Sequence, residues 1–249
     1  MSAERIAELL FKAHADGTQF PSSEAPSPKD VDEVYRVQDL VYARLGKGAR
    51  AVAWKVGGPG DAVEPTIAPI LPRGVLTSPA RVAAPDFHVI GIEAEIAFRF
   101  AVDLQQDSSE GEIAAAIRDI VVVIELCDSR LADWRSAAPL WKLADSQMNW
   151  GLAVGTGTTR WEHVDFKAQR AELWIGGARR VELTGGHPYG SPFRLMRWTV
   201  SHLAQRAGGL HAGDIVTTGS WGGMHFAAPG DEVLARFPGI GEAAVRISA

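Results

Sequence analysis

Basic runs, cysteine pairs and long apolar stretches are all missing from this chain. Its single cysteine, Cys127, rules out an internal disulfide and fits a reducing compartment. No apolar stretch approaches the roughly 20 residues of a membrane span. Lysine is scarce, six against nineteen arginines, and acids outnumber bases. The formal charge of −5, with no basic cluster, leaves nothing to neutralise a phosphate backbone. Neither nucleic acid nor a membrane is therefore expected as a partner. The seven histidines show no HxH or HExxH spacing, which argues against a histidine-held metal. Gly57-Gly58-Pro59-Gly60 lacks the helix start and spacing of a phosphate loop. The opening Met1-Ser2-Ala3-Glu4-Arg5 carries an early acid and no signal-peptide core, so a soluble, cytoplasmic protein is the expectation.

What is present is the grammar of a globular protein. The 249 residues are 46% hydrophobic and 22% charged, enough to bury a core that holds a cleft. Ile6, Leu9, Leu10 and Ala13 recur at helical spacing; a second helix is expected from a Ser27-Pro28 start, with Val31, Val34, Val41 and Leu45 on one stripe and Gly46 as its stop. Short β runs follow. Ala51 to Val56 reads as a strand, and Ile92 to Phe100 alternates strictly. Ser109-Glu110-Gly111-Glu112 is a capping box that predicts a helix to about Ile120, before the continuous apolar run Val121 to Leu126. Gly176-Gly177 marks a hairpin, Ser191-Pro192 opens another helix, and the tail returns to β. The helices do not alternate with the strands, so the fold class is α+β: a mixed, rolled β-sandwich with N-terminal helices. Residues 1–50 are expected to form a helical segment packed on a single β-rich unit, residues 51–249.

Period-2 geometry sends Ile92, Ala94, Ile96, Phe98 and Phe100 to one face of their strand and Glu93, Glu95, Ala97 and Arg99 to the other. Two carboxylates about 7 Å apart at their Cα atoms can converge on one cation, although charge on a plain solvent face would look the same. Glu125 shifts the balance. It ends an apolar run in which neither face is polar, and a buried carboxylate needs a cation, a metal or a raised pKa. Three carboxylates on two strands, with no nearby basic run to neutralise them, suit a hard divalent ion, Mg²⁺ or Mn²⁺ rather than Zn²⁺. Asp128 and Arg130 are expected to pair with each other.

Four segments occur in a telling order: Trp54-Lys55-Val56-Gly57, Gly91-Ile92-Glu93-Ala94-Glu95, Glu125-Leu126-Cys127-Asp128-Ser129-Arg130, and Gly213-Asp214-Ile215-Val216-Thr217-Thr218-Gly219-Ser220. This set resembles the fumarylacetoacetate hydrolase superfamily, and within it the 2-keto-4-pentenoate hydratase and 4-oxalocrotonate decarboxylase branch, from about Asp30 to the C-terminus. The resemblance implies that superfamily's C-terminal β fold, with Glu93, Glu95 and Glu125 as metal ligands and Lys55 as the active-site lysine. It implies substrate contacts from Lys142 and Asp145 and from the loop Thr218, Gly219 and Ser220. Where hydratases carry Pro-Asp-Phe-Gly, this chain has Glu64-Pro65-Thr66-Ile67-Ala68. Either Glu64 substitutes as the catalytic acid, or the acid/base step differs.

The activity so implied is metal-dependent hydration of a 2-hydroxy-2,4-dienoate, such as 2-oxopent-4-enoate in its enol form, during breakdown of aromatic compounds. Protonation at the far end of the diene leaves an α,β-unsaturated ketone, to which water adds. Decarboxylation of a 2-oxo-dioic acid or C–C hydrolysis of an acylpyruvate would use the same metal and enolate. A non-catalytic partner subunit is the alternative of a different kind. A small 2-oxo or 2-hydroxy acid is the expected partner, with a homo-oligomer and association with a related pathway enzyme also implied.

Overall fold

The computed structural model describes residues 2–60 and 62–249; Met1, part of the N-terminal reading, lies outside them. Two helices come first, α1 (Ser2–Asp16) and α2 (Val31–Leu45). Four short strands follow: β1 (Ala53–Gly57), β2 (Thr66–Pro69), β3 (Val75–Thr77) and β4 (Ala80–Ala83). The centre of the chain holds β5 (Gly91–Phe100), α3 (Glu110–Ala116), β6 (Ile117–Cys127), α4 (Pro139–Ala144) and β7 (Asn149–Thr158). The hairpin β8 (Arg170–Ile175) and β9 (Ala178–Thr184) precedes α5 (Arg194–Ala207), and the tail is β10 (Ile215–Thr217), β11 (His225–Phe226), β12 (Glu232–Phe237) and β13 (Gly241–Ser248). Among the described residues, no helix is long and apolar enough to cross a membrane.

The strands form two mixed sheets. The larger runs β2-β1-β10-β5-β6-β7-β3, with β11 also on β5; the smaller runs β4-β13-β12-β8-β9. Within the larger sheet β1 lies parallel to β10 and β3 to β7, and every other pairing is antiparallel. The α+β expectation of a rolled, mixed β-sandwich with N-terminal helices holds.

Alternation along β5 decides what goes where. Ile92, Ile96, Phe98 and Phe100 join Val122, Ile124 and Leu126 of β6 in a core that the smaller sheet covers with Leu173, Val233, Phe237 and Val245. Each such side chain, fully buried, contributes roughly 1.5–3 kcal/mol. The opposite face of β5 and β6 is covered too. Ala53, Ala97, Val121, Val123 and Leu152 make a second apolar cluster there, which is why β6 is apolar on both faces. A third cluster joins α1, α2 and α4 through Ile6, Leu10, Val34, Val37 and Trp141.

Some element boundaries differ from the sequence reading. The second helix begins at Val31, not at Ser27-Pro28: the Asp30 carboxylate caps it by accepting the Glu33 amide at 2.8 Å. The capping box at Ser109 and Glu112 is present, but α3 ends at Ala116. The strand starts at Ile117 because ladder pairing with β5 claims Ile117 to Ile120, and Ile117 and Ile120 are buried against the core.

Candidate active site

The ladder register sets Glu93 of β5 directly opposite Glu125 of β6. Like charges facing each other across a ladder repel, so the pair needs a counter-charge. Lys55 reaches it from β1, two strands away across β10. Its Nζ lies 2.9 Å from Glu125 Oε1 and 3.4 Å from Glu93 Oε2. Glu95, one β repeat along from Glu93, belongs to the same face. Its Oε2 accepts the Thr217 hydroxyl and, at 3.0 Å, the Gly219 amide. Asn149 Nδ2 donates to Glu125 Oε1 at 2.8 Å. Glu95 and Glu125 are fully buried, while the Lys55 and Glu93 side chains keep 12% and 16% exposure and mark where the cluster meets solvent.

The charges do not balance. With all three carboxylates ionised, they and the one lysine sum formally to −3 + 1 = −2. Burial first, and then the charges of Glu125 and Glu93, push the Glu95 carboxyl well above its ordinary range. Glu125 is raised by burial, with Lys55 pulling it down and Glu93 pushing it up. Burial alone would lower the Lys55 pKa, but the surrounding carboxylates outweigh it and raise it well above the usual value, so the lysine is charged. Two oxygens in this buried space, Glu95 Oε1 and Glu125 Oε2, have no hydrogen-bond partner. Orphaned carboxylate oxygens beside a surplus of two negative charges fit one divalent cation.

The tightest group of potential ligands is Glu93, Glu125 and Cys127, with donor atoms within 4.8 Å of one another. Burial and the neighbouring carboxylates push the Cys127 thiol well up, and Sγ lies 3.6 Å from Glu93 Oε2. A protonated thiol is a poor ligand, so the site's chemistry is that of oxygen donors.

The other residues singled out from sequence scatter. Glu64 is exposed and accepts the indole N–H of Trp198, on α5, at 2.9 Å. Lys142 Nζ lies 3.4 Å from the Arg135 carbonyl. Asp145 does not turn to Lys142. It accepts from Arg130 Nε at 2.6 Å and from the Arg130 amide and Ser129 Oγ at 2.9 Å. The expected Asp128–Arg130 pair is therefore replaced by Arg130–Asp145, because Asp128 is taken up by the amides of His88 and Val89 and by the His88 ring. In the loop after β10, Gly219 alone donates to the acid cluster, and its φ of 95° suits glycine. Thr218 Oγ1 donates to the Ile96 carbonyl and Ser220 Oγ to that of Gly223.

Four contributors escaped the sequence reading: Thr217, Cys127, Asn149 and Gln147. Cys127 sits two residues after Glu125, so strand alternation could have placed it on the same face. The Gln147 carbonyl accepts from Lys55 at 3.3 Å, and its side-chain amide donates to Thr66 Oγ1 at 2.7 Å. Ser146, Gln147 and Met148 all have φ between 50° and 63°, a left-handed turn of three non-glycine residues. Such a conformation costs roughly 1–2 kcal/mol per residue, and no local pattern announces it.

Residues 50–248 match the family described as fumarylacetoacetate (FAA) hydrolase, C-terminal. The chain belongs to that family. Among its relatives is 2-keto-4-pentenoate hydratase 1 of Dechloromonas aromatica (strain RCB), 28% identical over 97% of this chain and 95% of that protein. The 4-oxalocrotonate decarboxylase of a Pseudomonas species is 26% identical over 97% of this chain and 96% of its own length. The solved structure of 4-oxalocrotonate decarboxylase from Pseudomonas putida G7, complexed with magnesium and adipate, superposes with a TM-score of 0.86 at 21% identity, covering 98% of this chain and 97% of that one. This likeness establishes a shared fold across the whole FAA hydrolase-type chain.

Proposed function

We propose that this chain is a divalent-metal-dependent hydro-lyase that adds water to a 2-hydroxy-2,4-dienoate, such as the enol of 2-oxopent-4-enoate, in the breakdown of aromatic compounds. The observation that carries this reading is the buried acid cluster, with its surplus of two negative charges and two orphaned oxygens, in a chain that aligns over nearly its full length with a hydratase. Glu93, Glu95 and Glu125 would hold the ion, with Mg²⁺ or Mn²⁺ as the species. When bound, it would supply Lewis acidity that favours negative charge on the substrate's C2 oxygen as the enol ketonises.

The chain's own groups do the rest. Lys55, held charged between Glu125 and Glu93, supplies a proton or a positive charge beside the reacting dienol. Asn149 fixes the Glu125 carboxylate, and Thr217 with the Gly219 amide fixes that of Glu95, so both orphaned oxygens stay aimed. On the same face of the sheet, Ala97, Val121, Val123 and Leu152 flank the acids with buried apolar surface that limits access of water. Residues 51–249 form the catalytic unit in this reading, with residues 1–50 packed on it as a helical segment and a homo-oligomer as the assembly.

The test offers purified protein, with Mg²⁺ and again with EDTA, three substrates: 2-hydroxypenta-2,4-dienoate, a 2-oxo-dioic acid of the 4-oxalocrotonate type, and an acylpyruvate. Mass spectrometry should find one water added to the dienoate, with turnover lost in EDTA and restored by Mg²⁺. Carbon dioxide release alone, or cleavage of the acylpyruvate alone, would overturn the hydratase assignment.

A further inference from the structure

His187, between β9 and α5, is only 5% exposed and sets its two ring nitrogens on two backbone groups. Nε2 lies 2.8 Å from the Thr218 carbonyl, and Nδ1 accepts the Tyr189 amide at 3.3 Å. A carbonyl can only accept and an amide N–H only donate, so Nε2 carries the proton and Nδ1 does not. Burial lowers the pKa of the ring, with the Thr218 carbonyl pulling the other way, and the neutral form fits both bonds. The ring packs against Trp221, with centroids 5.6 Å apart. Tyr189 lies so close to Gly58 that a Cβ there would come within 2.6 Å of its hydroxyl. The segment therefore touches both the loop after β10 and the loop after β1, the strand that carries Lys55.

The Thr218 carbonyl and the Gly219 N–H belong to one peptide unit. At its nitrogen that unit donates to Glu95 Oε2 at 3.0 Å, and at its oxygen it accepts from His187. Around it the loop is tied to β5 on both sides of Glu95. Thr218 Oγ1 donates to the Ile96 carbonyl at 2.7 Å, and the Trp221 amide to the Ala94 carbonyl at 2.9 Å. Neither tie holds the plane of the 218–219 peptide itself.

That plane turns on ψ of Thr218 and φ of Gly219, and glycine accepts φ of either sign at little cost. The Gly219 φ of 95° is one that other residues rarely adopt. The same freedom would let the peptide flip, and a flipped unit would point a carbonyl dipole at the Glu95 carboxylate. A hydrogen-bond donor to the carbonyl on the far side opposes the flip. His187 is that donor.

We propose that His187 is a positioning residue: its Nε2–H holds the Thr218–Gly219 peptide so that the Gly219 N–H stays on Glu95 Oε2, leaving Glu95 Oε1 free to meet the metal ion. The part played by the ion rests on the reading of Glu95 as a metal ligand; the hold on the peptide does not.

Two substitutions separate the donor from the ring. His187→Gln keeps an N–H near the position of Nε2 and loses the ring, whereas His187→Phe keeps a ring against Trp221 and loses the donor. The first readout is calorimetric titration of Mg²⁺ into full-length protein stripped with EDTA and dialysed. His187→Phe should bind Mg²⁺ about ten-fold more weakly than wild type, the lower end of the range for partners of metal ligands, and His187→Gln within about three-fold of it. The second readout is amide hydrogen exchange in metal-free protein, followed residue by residue by NMR. The Gly219 amide should exchange about ten-fold faster in His187→Phe and at the wild-type rate in His187→Gln. The Trp221 amide, bonded to Ala94 from the same loop, should stay unchanged in both. His187→Asn, too short to reach the carbonyl, replaces His187→Phe if circular dichroism shows that variant unfolded. In a protein that binds Mg²⁺, an affinity unchanged in His187→Phe, or weakened equally in both variants, would overturn the proposal. So would Gly219 and Trp221 amides that speed up together, which marks a loop loosened as a whole by lost packing. If wild type takes up no Mg²⁺ while the Gly219 contrast holds, the metal reading fails and the positioning of Glu95 stands.

Discussion

Two buried charge clusters lie on either side of Asn149, and they are built on opposite principles. In the Arg130–Asp145 pair the charges cancel, and the Asp145 carboxylate receives Ser129 Oγ, the Arg130 amide and Arg130 Nε. Burial pushes the Asp145 carboxyl up, and Arg130 counters it. Around Lys55 the charges do not cancel, and Glu95 and Glu125 each keep an oxygen without a partner. The first cluster is charge-neutral, with Arg130 Nη1 its one unpartnered polar atom, and it braces the segment after β6. The second is incomplete as protein, and a buried site left short of positive charge is one arranged to receive it. Burial of charge is therefore not the mark of function here; imbalance is.

The largest test of that contrast is Glu125→Gln. Metal-dependent turnover should fall by about 10³-fold or more, beyond the 10–100-fold typical of residues that only orient a ligand, while circular dichroism stays unchanged. Wild-type turnover in this variant would remove Glu125 from the site. Asp145→Asn should act the other way round. It strands a buried guanidinium and should lower stability by about 3–5 kcal/mol in urea unfolding, with any loss of activity following the folded fraction. A drop below 1 kcal/mol would show that the pair is not a brace.

The pH dependence sharpens the comparison further. A carboxyl held above its ordinary 4.5, as Glu95 is, contributes stability that is present below that pH and is lost as pH rises through the folded-state value. Metal-free protein should therefore lose melting temperature as pH rises above about 4.5. The gain in melting temperature on adding Mg²⁺ should grow over the same interval, since a bound cation stabilises only the folded form. A metal increment independent of pH would argue against an unbalanced acid cluster. The smallest effect belongs to Glu64→Gln. An exposed residue bonded to Trp198 should change turnover less than about three-fold and stability by no more than about 0.5 kcal/mol. A hundred-fold loss of turnover would return Glu64 to the acid/base role considered for it.

Much of the architecture was legible because it rests on local periodicity. The alternation of β5, the two-faced apolar run of β6, the Gly176-Gly177 turn and the capping box at Ser109 are all readable within a dozen residues. Boundaries slipped where ladder pairing overrode local signals, as at Ile117. In the candidate site, Glu93, Glu95, Glu125 and Lys55 were legible by residue type and strand position, and the structure brings these four together. Lys142, Asp145 and Glu64 were named from resemblance and lie with other partners. Gln147 and Asn149 were missed because a carbonyl in a left-handed turn and an amide at a strand start carry no pattern of their own.

By itself, the sequence determined which side chains share a face, since β geometry alternates every residue whatever lies above or below. It also determined that the chain carries an acid surplus with few lysines to offset it. The tertiary structure alone decided that Glu93 stands opposite Glu125, that Lys55 crosses a strand to reach both, and that Arg130 chooses Asp145 over Asp128. Register, and the solvent excluded around a charge, are set by contacts between residues far apart in the chain, and those contacts govern which buried charge finds a partner.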